Sequence, residues 1–166
     1  MKLYNFFRSG TSHRLRIAMN LKGVSAEYIA VNLRVEAHLK EAFKSLNPQG
    51  LVPALVMDDK VLIQSPAIIE WLEETYPTPA LLPKDALDRA HVRAMAAMVG
   101  CDIHPLNNHA FWNICANTSV PMKTQSMPGV ALGFKTALTH SRPCWLRTLA
   151  AQVFALAAAP PWSMCI

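Results

Sequence analysis

Between Ile103 and Ile166 the chain has no acidic residue; all eleven Asp and Glu lie from Glu27 to Asp102. Acids are about an eighth of ordinary residues, so such a gap arises by chance on the order of three times in ten thousand. Lys123, Lys135, Arg142 and Arg147 stand in that stretch with nothing opposing them. They are scattered and form no stripe, which argues against a nucleic-acid partner. No cysteine precedes Cys101 and no CxxC pair occurs, so neither dithiol redox chemistry nor a cysteine zinc site has a basis. Long apolar runs are also missing. The longest, Thr148 to Ala159, is well short of the roughly 20 residues that span a bilayer. The opening Met1-Lys2-Leu3-Tyr4 lacks the basic-then-apolar pattern of a signal peptide. A cytoplasmic home without membrane or nucleic-acid partners is the expectation. With 52% hydrophobic and 16% charged residues, disorder of the whole chain is excluded.

What is present divides near Asn108. Lys2–Phe7 is short and aromatic-rich and reads as a strand. Ser9-Gly10-Thr11-Ser12 is a cluster of turn and N-cap residues. His13–Lys22 reads as a helix, with Leu15, Ala18, Met19 and Lys22 on one stripe and Gly23 as its stop. Glu27–Val31 is a second strand. Ala37–Leu46 reads as a second helix, since Leu39, Ala42, Phe43 and Leu46 share a face. Val52–Met57 and Val61–Ile63 form a hairpin around Asp58-Asp59-Lys60. Ser65 suits the N-cap of a third helix and Pro66 its first position, with Ile68, Ile69, Leu72 and Tyr76 inward. The order β-α-β-α-β-β-α over residues 1–76 is the α/β, thioredoxin-like arrangement. Residues 77–84 form a proline-stiffened linker, and Asp85 to about Pro105 is a further helix that opens a second, helical domain.

Several local features bear on chemistry. The loop Arg8-Ser9-Gly10-Thr11-Ser12 meets a helix N-terminus, where free N–H groups and a hydroxyl can hold a thiolate. The plainer alternative is that Ser9, Thr11 and Ser12 only cap the helix. Pro53 opens a strand and is a candidate for a cis bond, which would turn the Val52 N–H and C=O toward an added extended peptide. An ordinary strand-starting proline is the alternative. Gln64 and Ser65 at the start of the third helix suit an amino-acid carboxylate, or serve simple capping. Arg8 can dock a carboxylate by a bidentate pair, whereas Arg14 and Arg16 are expected on a solvated face. His13, His38 and His104 lack metal-ligand spacing, so no metal is expected. Together, a hydroxyl for a thiol, a strand edge and a carboxylate cradle suit the tripeptide γ-glutamyl-cysteinyl-glycine.

The segment Phe7-Arg8-Ser9-Gly10-Thr11-Ser12-His13-Arg14-Leu15-Arg16-Ile17-Ala18 resembles the active-site signature of the zeta-class glutathione transferases, S-[SG]-[CT]-S-x-R-[VL]-R-I-A. Asn47 to Leu55 and Ile63 to Glu74 continue the resemblance in register, and Cys101-Asp102-Ile103-His104-Pro105 extends it. It covers residues 1 to about 108. Thr11 stands where many members carry cysteine. The resemblance implies glutathione bound by Ser9, Gly10, Thr11, Val52, Pro53, Gln64 and Ser65, with His38, Gln49, His104 and Asn108 bordering the same pocket. It implies cis-to-trans isomerisation of a maleyl dicarboxylate, maleylpyruvate or alternatively maleylacetoacetate, with Ser9 and Arg8 as catalytic residues and homodimers as the intact state. The chemistry so implied is addition of the glutathione thiolate to the double bond, rotation about the single bond that results, and expulsion of the thiolate.

Beyond Asn108 nothing matches the family. An acid-free tail cannot hold the S/T-x-x-D capping motif of the family's helical domain. Three of the four tryptophans and three of the four cysteines lie there. The tail reads as translation in a wrong frame from about codon 109, so that 85–108 begins a truncated all-helical domain and 109–166 is aberrant and poorly structured. A glutathione-binding module without turnover is the rival expectation.

Overall fold

The computed structural model of the chain describes residues 1–107, with side chains through Pro105. Two compact units divide it, Met1–Leu82 and Pro83–Ile166. The expectations for Asn108 and for 109–166 lie outside the described residues.

The first unit runs β1 (Lys2–Asn5), α1 (Gly10–Leu21), β2 (Glu27–Ala30), α2 (Glu41–Lys44), β3 (Ala54–Met57), β4 (Lys60–Ile63) and α3 (Ser65–Thr75). The sheet order is β2-β1-β3-β4. β1 and β2 are parallel, with Leu3 opposite Tyr28, while β1–β3 and β3–β4 are antiparallel. Strand alternation sends neighbouring side chains to opposite faces. Leu3 and Leu55 join Leu15, Ala18 and Met19 of α1 and Ile68 and Leu72 of α3 in one core. Ala54 joins Val31, Val52 and Phe43 in the other, with Tyr4, Phe6 and Ile63 packed against it. The sheet is thus a layer between α1 and α3 on one side and the 33–46 segment on the other.

The α/β, thioredoxin-like reading stands, with local corrections. β1 stops at Asn5, because Phe6 and Phe7 already turn: the Ser9 N–H donates to the Phe6 carbonyl at 3.0 Å. The helix expected over 37–46 is broken. Two 3-10 turns, Leu33–Val35 and Ala37–Leu39, precede the four-residue α2. Glu36 is left-handed (φ 54°) and Lys40 is extended (ψ 150°), so the helical ladder is cut twice. The shared face of Leu39 and Phe43 misled, for Leu39 is exposed and Phe43 alone of that stripe is fully buried.

Lys22 is the least expected core residue. The helix stripe placed it inward, and its side chain is indeed fully buried. Its ammonium pairs with Glu73 and donates to the carbonyls of Tyr76 at 2.7 Å and Pro79 at 2.6 Å. A lysine has three donors, and each finds an acceptor. Glu73 in turn accepts from the N–H groups of Leu81 at 2.9 Å and Leu82 at 3.0 Å. The proline-rich segment is thereby held to the first unit, with Leu81 packed against the core.

In the second unit α4 (Ala86–Ala97) is capped by Asp85, whose side chain accepts from Leu87 and Asp88 N–H. The long helix expected to Pro105 changes pitch. A π-helical turn covers Met98–Ile103 and a 3-10 turn His104–Asn107. Pro105 has no N–H to donate, so a regular ladder cannot run through it. Among the described residues no helix is long and apolar enough to cross a membrane.

Candidate functional site

The β1–α1 loop and the segment that leads into β3 meet through hydroxyls. Ser9 is the N-cap of α1: its backbone is extended, and its Oγ accepts from the Ser12 N–H at 3.3 Å. Capping is therefore real, as the plainer alternative held. It is not the whole role. Ser9 Oγ lies 2.8 Å from Thr11 Oγ1, and Thr11 Oγ1 donates to the Val52 carbonyl at 2.9 Å. A carbonyl only accepts, so the single Thr11 proton is spent there, and the Ser9 proton goes to Thr11. The relay runs from Ser9 through Thr11 to Val52.

The Val52–Pro53 bond is cis, as expected. The Val52 carbonyl, however, was expected to face outward for a ligand, and one of its lone pairs is already taken by Thr11. Gly10 opens α1 with open space where a Cβ would stand, so the first turn of N–H groups is approachable. Arg8 is half-buried in the same loop. Arg16 is not the solvated cation expected of it. Its guanidinium donates to Asn5 Oδ1 at 2.9 Å and to the Phe7 carbonyl at 3.1 Å, bracing the loop that carries Arg8 and Ser9. His13 is held below the ordinary histidine value, first by burial and then by the Arg16 charge.

A second cluster stands at the start of α3. Gln64, not Ser65, is the N-cap residue; it has φ 69°, and no side-chain cap bond forms. Ser65 is the first helical residue and is buried. The Gln64 amide donates to Gln49 Oε1 at 2.9 Å, and both side chains are exposed. Gln49 is placed by Asn47, which accepts its N–H at 3.1 Å and donates to the Leu51 carbonyl at 2.7 Å. His38 enters through Gly50: a Cβ on Gly50 would stand 3.1 Å from the His38 carbonyl, and Gly50 has φ +62°. Gly50→Ala is expected to cost about 1–3 kcal/mol, from the left-handed backbone together with that close approach, read as a lowered urea midpoint.

The structure thus brings together Ser9, Thr11 and Val52, and separately Gln49, Gln64 and His38 by way of Gly50. His104 lies in the second unit, half-buried in its 3-10 turn. Asn108 lies outside the described residues. Sequence reading missed Asn47 and Arg16 as the braces of both loops. Arg16 carried a signal, since it lies one turn beyond Ser12 on the side of α1 that faces the loop.

A family model described as glutathione S-transferase, N-terminal domain, matches residues 3–80. A solved maleylpyruvate isomerase, described as a bacterial glutathione S-transferase in zeta class, is 51% identical. Its match covers 95% of this chain and 80% of that one, with a TM-score of 0.81. The chain belongs to the zeta class of the glutathione S-transferases. Among curated relatives, a maleylpyruvate isomerase from Ralstonia is 76% identical over 65% of this chain and 51% of its own length. A maleylacetoacetate isomerase from Pseudomonas aeruginosa is 55% identical over 69% of this chain and 55% of its own. The chain therefore spans about half the length of the curated relatives it matches. A solved maleylacetoacetate isomerase from Methylobacterium extorquens, with bound malonate and glutathione, has a TM-score of 0.73 at 36% identity, covering 84% of this chain and 65% of that one.

Proposed function

We propose that this transferase uses glutathione to convert a cis maleyl dicarboxylate to its trans fumaryl isomer, with maleylpyruvate as substrate and maleylacetoacetate as the alternative. The observation that carries the reading is the Ser9 hydroxyl, set at the open N-terminus of α1 and joined through Thr11 to the edge at cis-Pro53. The residues present fit the tripeptide. Gly10 leaves the first turn of α1 approachable, and Gln64 and Gln49 are exposed side by side at the start of α3.

Ser9 and the α1 terminus would hold the sulfur, Val52 and Pro53 the peptide backbone, and Gln64, Ser65 and the α3 terminus the γ-glutamyl carboxylate. His38 and Gln49 are proposed at the border of the same pocket on the sequence match; for His104 and Asn108 a role toward glutathione rests on that match alone. When bound, glutathione supplies a thiolate that adds reversibly to the double bond, so that the bond becomes single and rotates. The Ser9 O–H donates toward the sulfur and favours its ionised form. Arg8 pairs with a substrate carboxylate and draws the dianion in. No step asks for a metal or a protein thiol, and Thr11 offers none.

We place the protein in the cytoplasm, with a second copy of the chain as partner and no nucleic-acid or membrane partner. We further propose domains of 1–76, a linker of 77–84, a helical start at 85–108 and an out-of-frame tail at 109–166. The acid-free composition of the tail supports this. Reading the coding DNA tests it: acidic, heptad-like helices must appear in another frame beyond codon 109. The same tail favours a second reading, binding without turnover. Purified full chain is therefore assayed for loss of maleylpyruvate absorbance with and without glutathione. Loss that requires glutathione is the expected result. Retention on a glutathione matrix without turnover selects the second reading, and neither retention nor turnover overturns both.

A further inference from the structure

The hydroxyl relay has a fixed direction at rest, and that direction is the wrong one for holding a thiolate. The Ser9 proton points to Thr11 because the Thr11 proton is spent on Val52. Ser9 Oγ also accepts the Ser12 N–H, so its position is set while its proton is parked. Thr11 bonds both the Ser9 hydroxyl and the Val52 carbonyl. We infer that Thr11 is a positioning residue that reverses the proton order of the relay when a peptide backbone docks on Val52, releasing the Ser9 hydroxyl toward a bound thiol. This deepens the glutathione reading above and rests on it.

The argument is one of competing acceptors. An extended peptide that pairs with the strand edge brings an N–H to the Val52 carbonyl. Two donors on one oxygen each bond more weakly than one donor alone. The Thr11 O–H then has a better acceptor in Ser9 Oγ, 2.8 Å away. Two hydroxyls cannot both place their protons on the line between them, so the Ser9 proton swings out of the relay. Ser9 now accepts from Thr11 while it donates to sulfur, and hydrogen bonds in such a chain strengthen one another. Recognition of the peptide is thereby coupled to the acidity of its thiol.

Arg8 adjoins Ser9. His13 donates its backbone N–H to the Ser9 carbonyl at 2.9 Å, and Arg16 is held on Asn5 and Phe7. Residues 47–57, which carry Val52, contribute no titratable side chain.

The test is a pH titration of glutathione bound to the full chain, followed by the ultraviolet absorbance of its thiolate. A His13→Gln background removes the imidazole from the curve, and binding is checked by calorimetry. Thr11→Val is expected to raise the bound thiol pKa by about half a pH unit, Ser9→Ala to raise it further, and Thr11→Ser to leave it near the parent value. A merely structural role for Thr11 would change affinity or stability and leave that pKa in place. An unmoved or lowered pKa in Thr11→Val, with Ser9→Ala raised, overturns the relay and leaves the Ser9 reading standing. An unmoved pKa in both removes the Ser9 reading and the relay together.

Discussion

Replacing Ser9 with alanine is expected to lower kcat/KM for maleylpyruvate, with glutathione present, about a hundredfold at neutral pH, the scale of removing one aimed donor from a developing or held anion. The variant also loses a helix cap. That cost is about 1 kcal/mol, and the long 3.3 Å bond to the Ser12 N–H places it at the weak end. The two losses separate cleanly. Stability falls slightly and without regard to glutathione, whereas turnover falls because less of the thiol is ionised. The deficit therefore shrinks as pH rises toward the ordinary thiol value of about 8.5, where sulfur ionises unaided. Ser9→Thr keeps an Oγ and is expected to retain most of the rate. Turnover in Ser9→Ala equal to that of the parent across this range would remove Ser9 from the chemistry and leave it as a cap.

The order of elements in residues 1–76 was legible because each boundary carried its own local chemistry. Ser9-Gly10-Thr11-Ser12 announces a helix start, Asp58-Asp59 a tight turn, and Pro53 a strand that begins rather than continues. The candidate site was legible for the same reason, since its residues sit at those boundaries. The 33–46 segment was not. Its apolar spacing is helical, but Glu36 and Lys40 adopt left-handed and extended backbone, and Lys40 gives α2 no side-chain cap. Packing of Phe43 and Val31 against Ala54 decides that segment, and no local pattern reports such a contact. The relay was illegible too. Ser9 and Thr11 are neighbours in sequence, but the direction of their protons depends on Val52, 41 residues away. Arg16 shows the opposite failure: a cation on a helix surface reads as solvated, and the loop carbonyl of Phe7 accepts from it.

Lys22 and Glu73 give the largest stability effect expected in the molecule. A lysine at the end of an otherwise apolar stripe is either an error of pattern or the member of a pair. Here the pair is satisfied throughout, with three acceptors around the ammonium and two backbone donors besides Lys22 on the carboxylate. Removing one partner leaves a buried charge without its counter-ion, which costs about 3–5 kcal/mol. Lys22→Met and Glu73→Gln are each expected to lose that amount in urea denaturation, and the double variant to lose much less than their sum, because the second change no longer strands a charge. The pH dependence follows from Glu73. Burial alone would raise its carboxyl, but the Lys22 hydrogen bond, the N–H groups of Leu81 and Leu82 and the ammonium charge together hold it below the ordinary value of 4.5. A depressed folded value means that the stabilisation is complete above about 4.5 and disappears as pH falls through the folded value. Glu73→Gln should flatten that acid limb while lowering the neutral plateau. Additive losses in the double variant, or an acid limb unchanged by Glu73→Gln, would show that residues 76–82 are held to the first unit by something other than this pair.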